Sequence, residues 1–291
     1  VLQSTGFIVV LFVLLWNSGF VSAEYGLPYA KPFTLLFWRY WGLALILWGY
    51  LTVTHRFKWP TIQQMSQALI TGILAHGVWL SCVLIAIQRG VPAGIVALVV
   101  ALQPLATGAL SGIVVGEYPH STQWLGLALG FLGVVFVLSA RSQVTDIEVG
   151  VAYFLPFISV MAITTASLLQ RYLATRQTQV ELSIDVSLFY QSLGTAIGVT
   201  LPAVRVEQLS TEWNGVFIGT LVWLILAVSL GAYGLMWMLI KRLDATRVAS
   251  LFYLGPPVTM VMAWMAFGDT PQPTDYVGMV VVAFGVFIAQ R

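Results

Sequence analysis

Apolar runs of about 20 residues, the length that carries an α-helix across a bilayer's hydrocarbon core, follow one another along the whole chain. Ten can be marked between charged or Pro/Gly breaks: about 4–22, 33–53, 67–88, 92–115, 122–140, 150–170, 186–204, 214–240, 246–267 and 274–290. The runs are continuous rather than alternating, which argues against the strands of a membrane barrel. The predicted fold is therefore an all-α membrane protein with ten transmembrane helices. Only 8% of the 291 residues are charged, against about 25% in soluble domains, so the lipid bilayer is the expected solvent. Eleven Trp and eleven Tyr suit two membrane interfaces, where amphipathic rings gather. Residues 1–20 contain no Lys or Arg, so the first run reads as a permanent span rather than a cleaved signal. The single cysteine, Cys82, excludes an intrachain disulfide. A scattered net charge of +2 points away from nucleic acid.

Lys and Arg set the orientation. One face collects Arg56, Lys58, Arg171, Arg176, Lys241, Arg242, Arg247 and Arg291; the other collects Lys31, Arg89, Arg141 and Arg205. The richer face is cytoplasmic, and both termini lie on it. The chain also repeats itself. "GEYPHSTQWLGLALGFLGV" (116–134) aligns without a gap on "GDTPQPTDYVGMVVVAFGV" (268–286). Upstream, "AIQRG" meets "LIKRL", and Pro104 meets Pro257. Residues 1–140 form the first five-helix repeat, 141–149 a linker and 150–291 the second. An odd number of spans per repeat inverts the second in the membrane, an architecture of secondary transporters.

"WNSGFVSAEYGLPYAKPFTLLFWRY", "GVPAGIVALVVALQPLATGAL" and "GEYPHSTQWLGLALGFLGVVFVLSAR" resemble the EamA-type members of the drug/metabolite transporter superfamily. The resemblance covers essentially the whole chain and is close to the bacterial aromatic amino-acid exporters of that group. It implies a ten-helix exporter of small metabolites, with amino acids frequent among the substrates, working by alternating access in the cytoplasmic membrane. No cofactor is expected, and a homo-oligomer is left open.

Transporter sites sit where helices are interrupted at corresponding places in the two halves. The fourth run carries Gln103-Pro104 and the ninth Gly255-Pro256-Pro257. Each proline removes the amide that would bond the carbonyl four residues back, which strands Val100, Phe252 and Tyr253. Such carbonyls line a wet cavity or belong to a simple kink. Candidate substrate-binding residues are Trp16, His76, Trp79, Tyr233 and Tyr253, which offer flat apolar surface with an N–H or O–H. His76 either couples protons or hydrogen-bonds a neighbouring helix; the structural role is the expectation.

Arg39 lies about 9 Å into its span at 1.5 Å per residue. It either snorkels to the headgroups or forms a fixed positive charge at the outer mouth. In the second reading it pairs with Glu24, attracts carboxylates or latches a gate, as its match to the family's second-span Arg implies. No acidic residue is expected near the midplane; Glu24, Glu117, Asp244 and Asp269 fall at span ends, which disfavours obligatory cation export. No GxxxxGK[ST] occurs, so the chain is not itself an ATP-driven pump. The rows Gly108/Gly112/Gly116, Gly126/Gly130 and Gly194/Gly198 read as helix-packing surfaces. The competing class, a membrane enzyme acting on lipid or isoprenoid substrates, needs clustered carboxylates or His at a membrane face, and the sequence offers no such cluster.

Overall fold

The computed structural model describes residues 5–57, 59–116, 121–140, 147–176, 182–240, 242 and 251–289. Most of the expected linker (141–146), the start of the ninth run (246–250), Glu117, Asp244 and the basic residues Lys58, Arg141, Lys241, Arg247 and Arg291 lie outside the described residues. Nearly all described residues are helical, and among them no strand forms beyond a single bridge between Ala30 and Thr211. The helices are α1 (Thr5–Gly26), α2 (Pro32–Val53), α3 (Ile62–Gln88), α4 (Ala93–Val100 and Gln103–Val115), α5 (Ser121–Ala140), α6 (Leu155–Arg176), α7 (Ile184–Arg205), α8 (Gly215–Val222, Trp223–Ala232 and Tyr233–Ile240), α9 (Gly255–Phe267) and α10 (Pro273–Ala289). A short helix, Ile147–Ala152, leads into α6.

Local chemistry starts and stops these rods. Thr61 and Gln64 form a reciprocal capping box at the start of α3, satisfying two orphan amides. The Asn214 side chain accepts from Phe217 N–H at 2.9 Å to open α8. Gly116 ends α4 and Gly268 ends α9, with φ of +81° and +78°, the left-handed geometry that favours glycine. Those two glycines are aligned in the sequence repeat.

Among the described residues five helices are long and apolar enough to cross a membrane: Thr5–Gly26, Ile62–Gln88, Ala93–Val114, Gly150–Leu173 and Gly215–Leu239. Phe252–Phe267 and Trp124–Val137 are shorter apolar helices. Large apolar side chains such as Leu45, Ile113, Leu201, Met265 and Val280 face outward, while Asn17, Arg39, His76, Ser192, Thr195, Ser229 and Thr259 are buried. That distribution belongs to a multi-pass membrane protein, whose polar groups turn inward to find partners.

Most of the main helix contacts recur when each helix is exchanged for its counterpart five places along. Helix α1 packs on α8 and α6 on α3; α2 meets α7, α4 meets α9 and α5 meets α10. The α3–α7 contact is close. A methyl group built on Gly72 would fall onto the Gln191 carbonyl, and one on Gly194 onto the Leu69 carbonyl. Thr195 Oγ1 donates to the Gly72 carbonyl at 2.8 Å in the same seam. In the row beginning at Gly108, Gly112 is buried, but Gly108 and Gly116 do not pack against a neighbour. Gly108 has no heavy atom within 4 Å of its Cβ position, and Gly116 is a helix terminus.

Candidate substrate cavity

Two kinds of backbone irregularity converge on the middle of the bundle. Helix α4 breaks at Ala101–Leu102, before Pro104, and α9 is preceded by a tight 3-10 turn, Phe252–Leu254. In that turn the Gly255 N–H recovers the Phe252 carbonyl that the prolines had stranded. Helix α3 widens to a π-helix over Ile73–Val78, and its counterpart α8 does so over Trp223–Ala232. Such stretches release backbone groups from the regular ladder and recur at functional sites.

A cavity of about 310 Å³ lies among these irregularities, at the lower end of the ~300–1,000 Å³ typical of small-molecule sites. Its lining includes Trp16, Asn17, His76, Trp79, Val100, Gln103, Pro104, Gln170, Gln191, Tyr233, Phe252 and Gly255, from helices of both halves. A narrow extension of about 40 Å³ shares Trp16, Phe20, His76, Trp79 and Tyr233 with it and reaches Arg39, Tyr40, Val83 and Leu84.

One wall is aromatic. The Trp16 ring lies 5.3 Å from Tyr233 and 5.2 Å from Phe252, and Phe12 supports Phe252 from behind at 5.6 Å. Opposite, polar groups form a connected set. His76 Nδ1 lies 3.3 Å from the Tyr233 hydroxyl and His76 Nε2 lies 3.3 Å from Gln191 Oε1. Gln191 Nε2 donates to Ser187 Oγ at 3.0 Å. Asn17 Nδ2 donates to the Val13 carbonyl at 2.7 Å and its Oδ1 accepts from Thr259 Oγ1 at 3.1 Å, tying α1 to α9.

Of the residues the sequence singled out, Trp16, His76, Trp79, Tyr233, Gln103, Pro104 and Gly255 line this space. Tyr253 does not; the neighbouring Phe252 takes that place, and Tyr253 packs partly buried against the main core. Pro256 is buried behind the cavity and Pro257 is exposed. Arg39 neither snorkels nor pairs with Glu24. It is only 6% exposed, and its Nε and Nη2 donate to Ser229 Oγ at 3.2 and 2.9 Å. Among the described residues no ion pair joins it to Glu24, one of whose carboxylate oxygens is buried without a hydrogen-bond partner.

Gln191, Phe252 and Asn17 were not anticipated. For Gln191 a signal existed: "LFWRYWG" (36–42) and "LFYQSLG" (188–194) align without a gap, and Arg39 and Gln191 are each the eighth residue of α2 and α7. The contacts they make correspond as well. Arg39 reaches the π-helical stretch of α8 at Ser229, and Gln191 reaches that of α3 at His76. The two halves thus carry one polar contact each, charged in one copy and neutral in the other.

A helical membrane bundle with a polar-lined central cavity at its helix breaks is built to pass a solute, and the comparisons agree. The profile of the EamA-like transporter family matches residues 4–139 and again 150–290. The chain belongs to that family and is a transporter rather than an enzyme. It is 24% identical, over 98% of its length and 94% of the relative's, to a probable amino-acid metabolite efflux pump of Salmonella typhimurium. An inner membrane transporter of Escherichia coli, YedA, is 20% identical over 94% of this chain and 87% of its own. A probable terminal-alkyne amino-acid exporter of Streptantibioticus cattleyicolor is 26% identical over 69% of this chain and 65% of its own. One crystal structure shares the fold with a TM-score of 0.65, covering 99% of this chain and 97% of the other at 20% identity.

Proposed function

We propose that this transporter exports small metabolites, foremost amino acids with apolar or aromatic side chains, across the cytoplasmic membrane by alternating access. The observation that carries the reading is the cavity, about 310 Å³ in volume, lined from both halves and seated where α4 and α9 are interrupted. Its mixed wall of rings and neutral amides suits a molecule with an apolar body and polar ends. In this reading all ten helices span the bilayer, as two inverted five-helix repeats with both termini cytoplasmic. The exchange symmetry of the helix contacts and the matched π-helical stretches support it. Gln170 and Met236, near the ends of α6 and α8 that the basic residues assign to the cytoplasm, line the wide part of the cavity. The conformation is accordingly cytoplasm-facing, with the narrow extension on the outward path. The names of the efflux pump and the exporter among its relatives support the substrate class.

The test is counterflow in liposomes holding only this protein. Labelled phenylalanine should exchange with unlabelled phenylalanine inside, and other apolar amino acids should compete. If folded, inserted protein gives no exchange above protein-free liposomes across an amino-acid panel, the reading falls.

A further inference from the structure

The cavity is electrically one-sided. Among the described residues, the linings of the cavity and its extension contain no Asp, Glu or Lys; Arg39 supplies their fixed charge. Two of its nitrogens share a single acceptor, the Ser229 hydroxyl, which is neutral and cannot balance a cation. No hydrogen bond of the third, Nη1, is formed with a described residue. The Tyr40 ring, 5.4 Å from the guanidinium carbon, compensates part of the charge, but a cation removed from water stays costly without a full counter-charge. Another residue of the same lining also carries an unpaired donor. Trp79 is 6% exposed, and its indole Nε1 is buried with no acceptor, although its ring lines both the extension and the cavity.

We propose that the substrate enters this site carboxylate first, the carboxylate held by the Arg39 guanidinium with the Trp79 indole N–H, and that an α-ammonium group is not required. The ligand class is an organic monocarboxylate with an apolar body, of which amino acids are one kind. This rests on the reading of the cavity as the substrate site. A guanidinium presents parallel N–H donors to the two oxygens of a carboxylate, which no neutral end group reproduces. The extension, about 40 Å³, has room for a few water molecules and so for a carboxylate but not a ring. The apolar body stays in the wide part against Trp16, Tyr233 and Phe252. An ammonium finds no anion: the lining offers it only neutral oxygens, among them those of Asn17, Gln103, Gln170 and Gln191. Of these, Asn17 and Gln191 already accept from Thr259 and His76, and among the described lining residues there is no carboxylate.

Three probes that differ only at the polar end decide this: phenylalanine, phenyllactate and phenethylamine, titrated onto the purified protein in nanodiscs. Phenylalanine and phenyllactate should bind within about tenfold of each other, and phenethylamine about tenfold or more weakly, the scale of one charge-assisted pair. Arg39→Gln, which installs the residue of the other repeat, should weaken both acids by about tenfold or more and leave the amine unchanged. Trp79→Phe keeps the ring and removes the N–H, and should weaken the acids several-fold only. Phenethylamine binding as well as phenylalanine overturns the proposal. Phenylalanine binding while phenyllactate is refused also overturns it, yet leaves amino-acid export standing. Binding of none of the three overturns both readings. The comparison on unmodified protein needs no variant to fold.

Discussion

His76 and Gln191 meet across the two halves of the chain, Nε2 to Oε1 at 3.3 Å. Because the Gln191 amide nitrogen donates to Ser187, its oxygen is left to accept, and His76 Nε2 carries the proton. Nδ1 then accepts from the Tyr233 hydroxyl. The hydrogen bonds run in one direction, from α8 through α3 to α7, only with a neutral imidazole. The geometry favours a connector over a proton carrier.

This gives a pH prediction. Transport by His76→Gln, measured from about pH 5 to 8 where a histidine would titrate, should be reduced but should keep the pH profile of the parent. His76→Phe should lower thermal stability in detergent, since it strands the Tyr233 hydroxyl and the Gln191 oxygen at about 1–3 kcal/mol each. A pH-dependent step present in the parent and absent from His76→Gln would make His76 a proton carrier after all.

Phe252 and Tyr253 should part company. Phe252→Ala opens the aromatic wall against Trp16, and Trp79→Ala removes a buried ring from both compartments; each loses contacts on the scale of about 3–5 kcal/mol. Both should impair transport at normal expression. Tyr253→Phe should transport with the substrate affinity of the parent, because Tyr253 lies outside the lining. Counterflow rates of the three variants measure this, and a parental Phe252→Ala would refute the assignment of the wall.

The all-helical fold with its long apolar helices, the breaks at Pro104 and Gly255, and the meeting of Trp16, His76, Trp79 and Tyr233 in one lining were legible because apolar length, proline and buried polarity each act locally. The exchange of Phe252 for Tyr253 was not. Adjacent residues point about 100–120° apart in either kind of turn, and nothing in "LFYLGPP" says which of the two faces the cavity. The π-helical stretches "ILAHGV" and "WLILAVSLGA" look like ordinary apolar helix, since their widening is a response to packing. Gln191 passed unnoticed because a neutral amide in a run has no penalty large enough to demand explanation, unlike Arg39.

The glycines of one seam should be irreplaceable and those of another free. In Gly194→Ala the new methyl would meet the Leu69 backbone, which cannot rotate away, so α3 and α7 must separate and the His76–Gln191 contact is lost with them. Gly108→Ala meets open space and should gain helix propensity, about 1 kcal/mol in favourable cases. Melting temperatures in detergent should fall for the first and hold or rise for the second. Equal tolerance at both positions would mean that the α3–α7 approach is looser than the structure has it.

Glu207 is a further unforeseen residue, and it closes a junction between the two halves. One carboxylate oxygen accepts from Thr34 N–H at 2.7 Å and Thr34 Oγ1 at 2.8 Å, and the other from Phe33 N–H at 3.2 Å. An anion thus caps the positive end of α2, holding the loop after α7 onto the start of α2. Trp38 Nε1 reinforces the junction by donating to Thr211 Oγ1 at 3.0 Å. The corresponding contact in the other half, between the loop after α2 and the start of α7, is the ion pair of Arg56 with Asp185 at 3.2 Å, whose arginine side chain is 59% exposed. Buried and exposed closures should respond unequally. In Glu207→Gln the amide nitrogen must face a backbone N–H, that of Phe33 or of Thr34, which cannot accept, costing about 1–3 kcal/mol, so the variant should melt earlier and the junction should open more readily. Arg56→Gln should cost less, since the arginine end of the pair is solvated and the half-buried Asp185 keeps the Val186 N–H on its other oxygen. Thermal unfolding of the two variants, with accessibility of a cysteine introduced at Thr211 read alongside, checks the difference. A Glu207→Gln protein as stable and as closed as the parent would show that the α2 cap does not hold this junction.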